Sequence, residues 1–307
     1  MRQDHEANHP GVPEDVAAFR RFNRYFTRRI GALDDHYLGQ DRPLGEARLL
    51  FEIGDGDGNG DGASLKELRA RLGLDAGYLS RMAKALQTQG MVRLRVHPDD
   101  SRLRTIELTP AGRTEVGEQN RRADALAAGV LDRLTAAQRT LLTDSLATTA
   151  RLLRLAAITV VPVPGAAPDA RSALASYAAD LDVLFPEGYD PADLVTAEEV
   201  SGDAGAFFVA YEEDRVVGCG GLRRLEPGVA EIKHVWVHRE ARRLGLARRL
   251  LEALESEAVR RNWPTVRLDT HPSLKAAQAM YRATGYTEIP PYSEHAYAGH
   301  WFEKRLT

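Results

Sequence analysis

The stretch from Ala230 to Leu250, AEIKHVWVHREARRLGLARRL, constrains the fold of this chain more than any other segment. Its pattern predicts an apolar strand that runs through a tight turn into a helix. The first N–H groups of a helix have no partner inside the helix and lie at the positive end of its dipole, so they attract anions. Gly245 and Ala247 have little or no side chain, which lets a phosphate approach the backbone. The turn is therefore a candidate site for a phosphorylated ligand; the alternative is a basic, solvated start of a helix with an incidental glycine.

The turn carries the sequence Arg-Arg-x-Gly-x-Ala, which resembles motif A of the GNAT acyltransferases. The resemblance implies an α/β fold that uses acetyl-CoA as a cosubstrate. It also implies that the backbone of the preceding strand pairs with the pantetheine arm and that the turn binds the pyrophosphate. The cofactor-binding residues predicted in this way are Val235, Trp236, Val237, Arg242, Arg243, Leu244, Gly245, Leu246, Ala247 and Arg248.

A second segment, AAQAMYRATGY, is similar to motif B of the same family and contains Tyr281. The resemblance implies that Tyr281 lies near the departing thiolate and acts as a general acid. A phenol with a pKa of about 10 suits this role, because the product thiolate has a similar basicity. The alternative is that Tyr281 is a packing aromatic on an amphipathic helix.

Acetylation of an amine also requires a base, since a protonated amine has no lone pair. Glu231 begins the strand of motif A, where many GNAT proteins carry a catalytic glutamate, and it is the predicted base. A surface carboxylate or a substrate-binding carboxylate is an equal alternative. His234 is the other titratable candidate on this strand, although a packed or solvated histidine fits it better. Four further side chains are weak candidates for the substrate pocket: Tyr189, Tyr292, His295 and Tyr297.

The N-terminal half has the element order of a different fold. Asp75 is positioned to cap a helix that continues to Gln89, and two short strands follow, Met91–Val96 and Leu103–Leu108. This order is typical of a winged helix-turn-helix. Between Tyr78 and Arg104 the chain has six basic residues against two acidic ones, which is a plausible nucleic-acid footprint.

The segment GYLSRMAKALQTQGMVRLRVHPDDSRLRTIELTPAG is similar to the MarR family of transcriptional regulators. The resemblance implies binding to an operator in double-stranded DNA and a homodimer formed by the first and last helices. It implies that the arginine of the wing contacts DNA and that the aspartate orients this arginine. The predicted DNA-binding residues are Tyr78, Arg81, Lys84, Asp100, Arg102 and Arg104. The alternative is a winged helix retained as a protein–protein module.

An acidic segment, DGDGNGDG, precedes the capped helix and departs from the MarR pattern. It begins like a calcium-binding EF-hand loop, but the twelfth position counted from Asp55 is Lys66, and Glu67 comes one residue late. Position eight is Gly62 instead of an apolar residue. The sequence therefore predicts a flexible acidic insertion over Asp55–Asp61 and no metal site.

Composition and length agree with two fused domains. A chain of 307 residues suits two domains of about 150 residues each, and the proline-rich break after Ala157 separates them. We expect a multi-domain fold: a mainly-α, MarR-like winged helix over residues 1–157 and an α/β GNAT fold over residues 158–307. No apolar run approaches the length of a membrane span, and the first residues lack the apolar core of a secretory signal. The single cysteine, Cys219, fits a buried structural thiol in a reducing cytoplasm.

The sequence thus predicts a cytoplasmic, homodimeric regulator that is also an acetyl-CoA-dependent N-acetyltransferase acting on an amine. One alternative is an enzyme whose N-terminal domain only dimerises. The other is a DNA-binding regulator whose C-terminal domain only senses acetyl-CoA. The sequence names neither the amine nor the operator, and it does not say whether the two domains are coupled.

Overall fold

The computed structural model describes residues 12–31, 37–40, 42–55, 63–96 and 104–306. The chain divides into two compact units, Met1–Leu142 and Thr143–Thr307. The division falls inside one helix, Ala136–Ala157, and the predicted boundary at Ala157 is the point where this helix gives way to a strand. The limits of the functional domains, 1–157 and 158–307, therefore stay a prediction.

The first unit is a winged helix with additional long helices, as predicted. Its elements are α1 (Glu14–Arg29), α2 (Leu44–Asp55), β1 (Ala63–Ser64), α3 (Leu65–Leu72), α4 (Ala76–Thr88), β2 (Val92–Val96), β3 (Arg104–Leu108), α5 (Pro110–Leu131) and the start of α6 (Ala136–Ala157). The strands form a sheet in the order β1-β3-β2, in which β1 is an addition that the sequence did not indicate. Leu50, Leu86 and Ile106 are fully buried at the centre of this unit.

Two local signals explain where helices of this unit begin. The Asp75 carboxylate accepts a hydrogen bond from the backbone N–H of Tyr78 (2.8 Å) and so caps α4, as predicted. The Thr109 hydroxyl accepts a bond from the N–H of Gly112 (3.0 Å) at the start of α5, and Pro110 occupies the first helical position. The cap fixes the direction in which α4 leaves the turn, and thereby which of its side chains are exposed.

The second unit is a seven-stranded sheet with a helix on each face. It comprises the remainder of α6, β4 (Ile158–Val163), α7 (Pro168–Leu184), β5 (Gly205–Glu212), β6 (Arg215–Glu226), β7 (Val229–Val237), α8 (Leu246–Arg260), β8 (Thr265–Thr270), α9 (Lys275–Ala283), β9 (Thr287–Ile289) and β10 (His300–Arg305). The strand order is β4-β5-β6-β7-β8-β10-β9. Alternate residues of β5 face opposite sides, so that Phe208 packs with α8 and Phe207 with α7.

The sequence also predicts helices over about residues 168–200, but this prediction is wrong beyond Leu184, where α7 ends. After α7 the described chain forms turns and one short 3-10 helix, Pro191–Asp193. Pro186, Gly188 and Pro191 explain the difference, because proline removes a helical hydrogen bond and Gly188 adopts a positive φ of 76°.

The strands β7 and β8 are parallel neighbours that separate after three residue pairs. They pair only at Val229–Thr265, Ala230–Val266 and Glu231–Arg267. On its other edge β7 pairs with β6, with a shift of register at His234, which has a positive φ of 55°. The two strands therefore diverge beyond Glu231, and the edge of β7 that faces the gap has no strand partner in the described chain.

Cys219 is fully buried in β6, and burial raises the pKa of its thiol. The predicted structural role is confirmed, since a buried neutral thiol is a poor nucleophile. Over the residues with described positions, no helix has the length and apolar character needed to cross a membrane.

Candidate functional site

A cleft of about 750 Å³ lies in the second unit, where β7 and β8 diverge. Residues from β7, β8, α7 and α9 line it together with the turn that precedes α8. The predicted residues that line the cleft are Val235, Trp236, Val237, Arg242, Ala247 and Tyr281. The structure thus brings the strand and turn of motif A together with the tyrosine of motif B, which is 34 or more residues further along the chain.

The turn before α8 has the geometry that an anion site requires. Gly245 is the N-cap of α8 with a φ of 99°, and no side chain caps the helix. Its neighbour Arg243 also has a positive φ, 62°. Leu246 is buried in the core, which fixes the start of the helix. No N-cap side chain therefore accepts from the first N–H groups of α8.

The arginines around this turn differ in which groups they bind. Arg242 donates to the Asp180 carboxylate (2.7 Å) and to the carbonyl of Val237 (3.1 Å). Arg248 pairs with Glu252 one helical turn later. Arg243 is exposed and makes no ion pair among the described residues, but it is not among the residues that line the cleft.

The last turn of α6 contacts the same region. Arg249 of α8 donates to the carbonyls of Leu155 (3.0 Å) and Ile158 (2.6 Å). In the other direction, Arg154 donates to the carbonyl of Glu240 (2.6 Å) and pairs with Glu212. Two reciprocal arginine contacts thus hold the end of α6 against the start of α8.

Tyr281 is 6% exposed and its ring packs beside Tyr286 and Phe302, with centroids 5.8 Å and 5.7 Å away. Its hydroxyl makes no hydrogen bond within the described part of the chain. Burial, reinforced by the negative charge of Asp269, raises the pKa of Tyr281 above its usual value of about 10. The phenol is therefore protonated over the whole physiological range, although it is a weaker acid than the close match to a thiolate that the sequence suggested.

Glu231 is buried but does not line the cleft. Its carboxylate accepts hydrogen bonds from Arg223 (2.7 Å) and from the Tyr292 hydroxyl (2.9 Å). Arg223 also pairs with Glu199, so a chain of charges runs along this end of β7. Both carboxylate oxygens of Glu231 are engaged, which favours a positioning role over the predicted role as a base.

His234 lines the cleft as a neutral imidazole. Its Nε2 accepts a hydrogen bond from the backbone N–H of Val195 (3.0 Å), and burial lowers the pKa of the ring to about 3. A group with so low a pKa is a poor base at neutral pH. The sequence preference for a packed histidine over a catalytic one agrees with this environment.

A buried ion pair that was not predicted from the sequence also lines the cleft. Lys233 of β7 and Asp269 of β8 both line it, with Nζ 3.2 Å and 3.4 Å from the two carboxylate oxygens. The two side chains are only 7% and 9% exposed. No local signal could have paired two residues 36 positions apart; only the adjacency of β7 and β8 brings them together.

Aromatic rings form much of the remaining wall. Of the weak candidates for the substrate pocket, Tyr189 and Tyr297 line the cleft, whereas Tyr292 binds Glu231 and His295 is not among the lining residues. Phe185 and Tyr177 line the cleft as well and had not been singled out. These rings come from α7, the turns after it and the loop before β10, which are far apart in the sequence.

In the first unit, α4 presents the predicted DNA-binding side chains on its exposed face. Tyr78 is 40% exposed, and Arg81 and Lys84 are exposed as well, while Leu79, Met82 and Leu86 are buried on the opposite face. The Arg81 guanidinium lies 5.7 Å from the centroid of the Tyr78 ring. This division is what a recognition helix requires.

The rest of the predicted DNA contacts cannot be placed. Asp100, Arg102 and the side chain of Arg104 lie outside the described residues. The same holds for the acidic insertion beyond the backbone of Asp55. Among the described residues there is no cluster of three or more side chains that could hold a metal ion.

Comparison with family models agrees with both halves of this description. Residues 173–286 match the acetyltransferase (GNAT) family, and residues 40–103 match the MarR family. The chain therefore carries a GNAT domain and a MarR domain. The GNAT match contains β7, the turn before α8 and Tyr281, and the MarR match contains α4.

Similar proteins are found for each domain. Over 100 residues the chain is 28% identical to the uncharacterized N-acetyltransferase YsnE of Bacillus subtilis, which covers 32% of this chain and 66% of that protein. An IAA acetyltransferase of Azospirillum brasilense is 33% identical over 29% of this chain and 59% of its own length. The HTH-type transcriptional regulator YdgJ of Bacillus subtilis, also uncharacterized, is 30% identical over 28% of this chain and 53% of its own length. The chain thus spans between about half and two thirds of the length of these relatives.

Solved structures similar to each domain are also known. A GNAT-family acetyltransferase of Staphylococcus aureus is 20% identical, with a TM-score of 0.42, and the match covers 49% of this chain and 99% of that one. MarR of E. coli is 21% identical, with a TM-score of 0.38, over 45% of this chain and 97% of that one.

Proposed function

We propose that the GNAT domain is an acetyl-CoA-dependent N-acetyltransferase that acts on an amine. The observation that carries this proposal is the cleft between β7 and β8, which continues into the uncapped, glycine-led start of α8. The unpaired edge of β7 offers backbone donors and acceptors to a pantetheine arm, and the start of α8 offers N–H groups to a pyrophosphate. Tyr281 lines the same cleft.

In this proposal the nitrogen of the free amine attacks the carbonyl carbon of the thioester, and the carbon–sulfur bond then breaks. The leaving sulfur takes the proton of the Tyr281 hydroxyl, and the tyrosinate recovers the proton that the nitrogen loses. The raised pKa of Tyr281 keeps the proton on the ring until the strongly basic thiolate begins to form. The proposal is tested by incubating the protein with labelled acetyl-CoA and a broad panel of amines, and by measuring the label transferred to each amine.

The variant Glu231→Gln separates two roles for this carboxylate. Because Glu231 lies outside the cleft and both its oxygens are engaged, we expect the variant to keep the pH dependence of kcat/KM of the wild type, at a reduced rate. A catalytic base would behave differently, since its loss moves activity toward higher pH, where the amine is already deprotonated. The pH–rate profile, measured with any amine from the panel, distinguishes the two; a shift to higher pH would restore Glu231 as the base.

We further propose that the MarR domain binds an operator in double-stranded DNA as a homodimer. The exposed basic face of α4 supports binding to DNA. Dimerisation is supported by α1, which has no buried residue in the monomer. Its large apolar side chains are 41–59% exposed: Val16, Phe19, Phe22, Tyr25 and Phe26. A contiguous exposed apolar face of this kind marks a protein–protein interface. The mass of the protein in solution tests the dimer.

Replacing Arg81 or Lys84 with alanine is expected to weaken DNA binding without unfolding the domain, because both side chains are exposed. If the replaced side chain contacts a phosphate, the plot of log affinity against log salt concentration becomes less steep by about one unit. If it contacts a base, the preference for one DNA sequence relaxes instead. The measurement is a salt titration of binding to sites selected from genomic DNA. Arg121→Ala, on the exposed surface of α5, is the matched control. A selection that enriches no sequence at any salt concentration would leave the domain as a dimerisation module only.

A further inference from the structure

We infer that the acceptor is a primary amine carried on an aromatic group, whose amino group donates a hydrogen bond to Asp269 and whose ring packs against the aromatic wall of the cleft. This inference rests on the proposed N-acetyltransferase function and adds the class of substrate. It has three independent supports: the wall, the buried carboxylate and the pairing of the nearby cations.

The wall consists of rings that contact one another and also line the cleft. Phe185 stacks on His271 with centroids 3.9 Å apart, and Tyr297 lies 5.7 Å from Phe185 and 5.0 Å from Tyr189. Tyr177 meets Tyr189 edge-on at 5.7 Å. Rings held by several neighbours form a rigid apolar surface. Such a surface favours a flat ring through offset or edge-to-face contacts, and it attracts a cation to the ring faces.

Asp269 is a buried carboxylate that lines the same cleft as these rings. Burial raises the pKa of Tyr177 and of Tyr281, and the negative charge of Asp269 adds to both shifts, so Asp269 acts on both the wall and the proposed acid. Lys233 is its one described ion-pair partner, and the Nζ atom lies 3.2 Å and 3.4 Å from the two carboxylate oxygens, which are long contacts. An ionised carboxylate can accept about four hydrogen bonds, so Asp269 retains capacity to accept one from the amino group of an acceptor.

The cations of the cleft do not favour an acidic acceptor. Lys233 is paired with Asp269, and Arg242 is paired with Asp180. Lys275 also lines the cleft, but it is exposed at the start of α9 and so is screened by water. A carboxylate beside the ring of the acceptor would have to share Lys233 with Asp269, and it would lie close to that buried negative charge, which repels it.

The test compares acceptors under one set of conditions with labelled acetyl-CoA. The panel is 2-phenylethylamine, n-butylamine, spermidine, L-phenylalanine and a peptide with a free N-terminus. We expect kcat/KM for 2-phenylethylamine to exceed that for n-butylamine by at least about tenfold, and that for L-phenylalanine by a similar factor. Equal or better use of n-butylamine, spermidine, L-phenylalanine or the peptide overturns the inference.

Variants of single residues then show which side chains produce the preference for the aromatic amine. Tyr297→Leu removes a ring of the wall and is expected to reduce the ratio of kcat/KM for 2-phenylethylamine to kcat/KM for n-butylamine. Asp269→Asn is expected to raise KM for 2-phenylethylamine by at least tenfold, a larger factor than its effect on the affinity for acetyl-CoA, and Asp269→Glu to recover part of the loss. Tyr211→Phe, which loses a hydroxyl bonded to Asp169 outside the cleft, is the matched control and should behave as wild type.

Failure of this inference differs from failure of the proposed function. If amines are acetylated but the preference is absent, or is unaffected by Tyr297→Leu and Asp269→Asn, the aromatic-amine assignment is wrong and the N-acetyltransferase function stands. If calorimetry shows acetyl-CoA binding but no amine of any class is acetylated, the N-acetyltransferase function fails and the assignment fails with it.

Discussion

Replacing Gly245 with glutamate is expected to weaken acetyl-CoA binding by about 100-fold or more, equivalent to about 3 kcal/mol. Two effects contribute. The φ of 99° is costly for any residue with a side chain, so the start of α8 must shift. In addition, the glutamate carboxylate repels the phosphates at the point where the N–H groups of α8 would bind them. Calorimetric titration with acetyl-CoA measures the loss.

Two further variants separate these effects from general instability. Gly245→Ala has the backbone strain without the charge, so its affinity should lie between wild type and Gly245→Glu. Gly228→Glu places the same residue at another positive φ, 79°, in the turn between β6 and β7 outside the cleft, and should reduce stability without a specific loss of affinity. Wild-type affinity in a folded Gly245→Glu protein would show that acetyl-CoA binds elsewhere.

Tyr281→Phe is expected to lower kcat by about 10²–10⁴-fold while the affinity for acetyl-CoA changes little. The hydroxyl has no hydrogen-bond partner among the described residues, so its removal leaves no buried group unsatisfied, and the ring packing with Tyr286 and Phe302 is retained. The loss therefore falls on the transition state, in which the thiolate takes the proton. The measurement is kcat with the best amine from the panel, together with the affinity for acetyl-CoA.

The pH dependence gives a second test of the same tyrosine. Because burial raises the pKa of Tyr281, its protonated form persists as pH rises, and activity should show no alkaline loss due to this group below about pH 10. Tyr286→Phe is the matched control: it removes a neighbouring hydroxyl that donates to Glu255 (2.9 Å), and it should cost stability more than turnover. An unchanged kcat in Tyr281→Phe would assign this residue to packing alone.

The parts of the site that the sequence predicted are those encoded within one short segment. The predicted strand is β7, Val229–Val237, because apolar residues run up to a turn rich in arginine and glycine. The start of α8 follows from Gly245 in the same way. Similarly, Asp75 marks the start of α4, since a cap needs only its own helix.

The parts that the sequence did not predict depend on strands and loops meeting in space. Lys233 and Asp269 pair only because β7 and β8 are neighbours whose side chains face the same gap. Glu231 was expected to be a base from its position on a strand, but its partners Arg223 and Tyr292 come from β6 and from the loop before β10. A periodicity argument finds a strand, but it does not find which strand lies beside it.

The reciprocal arginine contacts at the end of α6 show that the structural unit of the GNAT domain begins before its first sequence motif. Every motif of the acyltransferase lies after Ile158, and a boundary drawn from motifs alone would remove Arg154 and Leu155 with the regulator half. Those residues hold Glu240 and Arg249, which flank the turn proposed to bind the cosubstrate. The last turns of α6 thus belong to the second unit, although the helix begins in the first. A GNAT domain cut at Ile158 would therefore lose the groups that hold both sides of this turn in place.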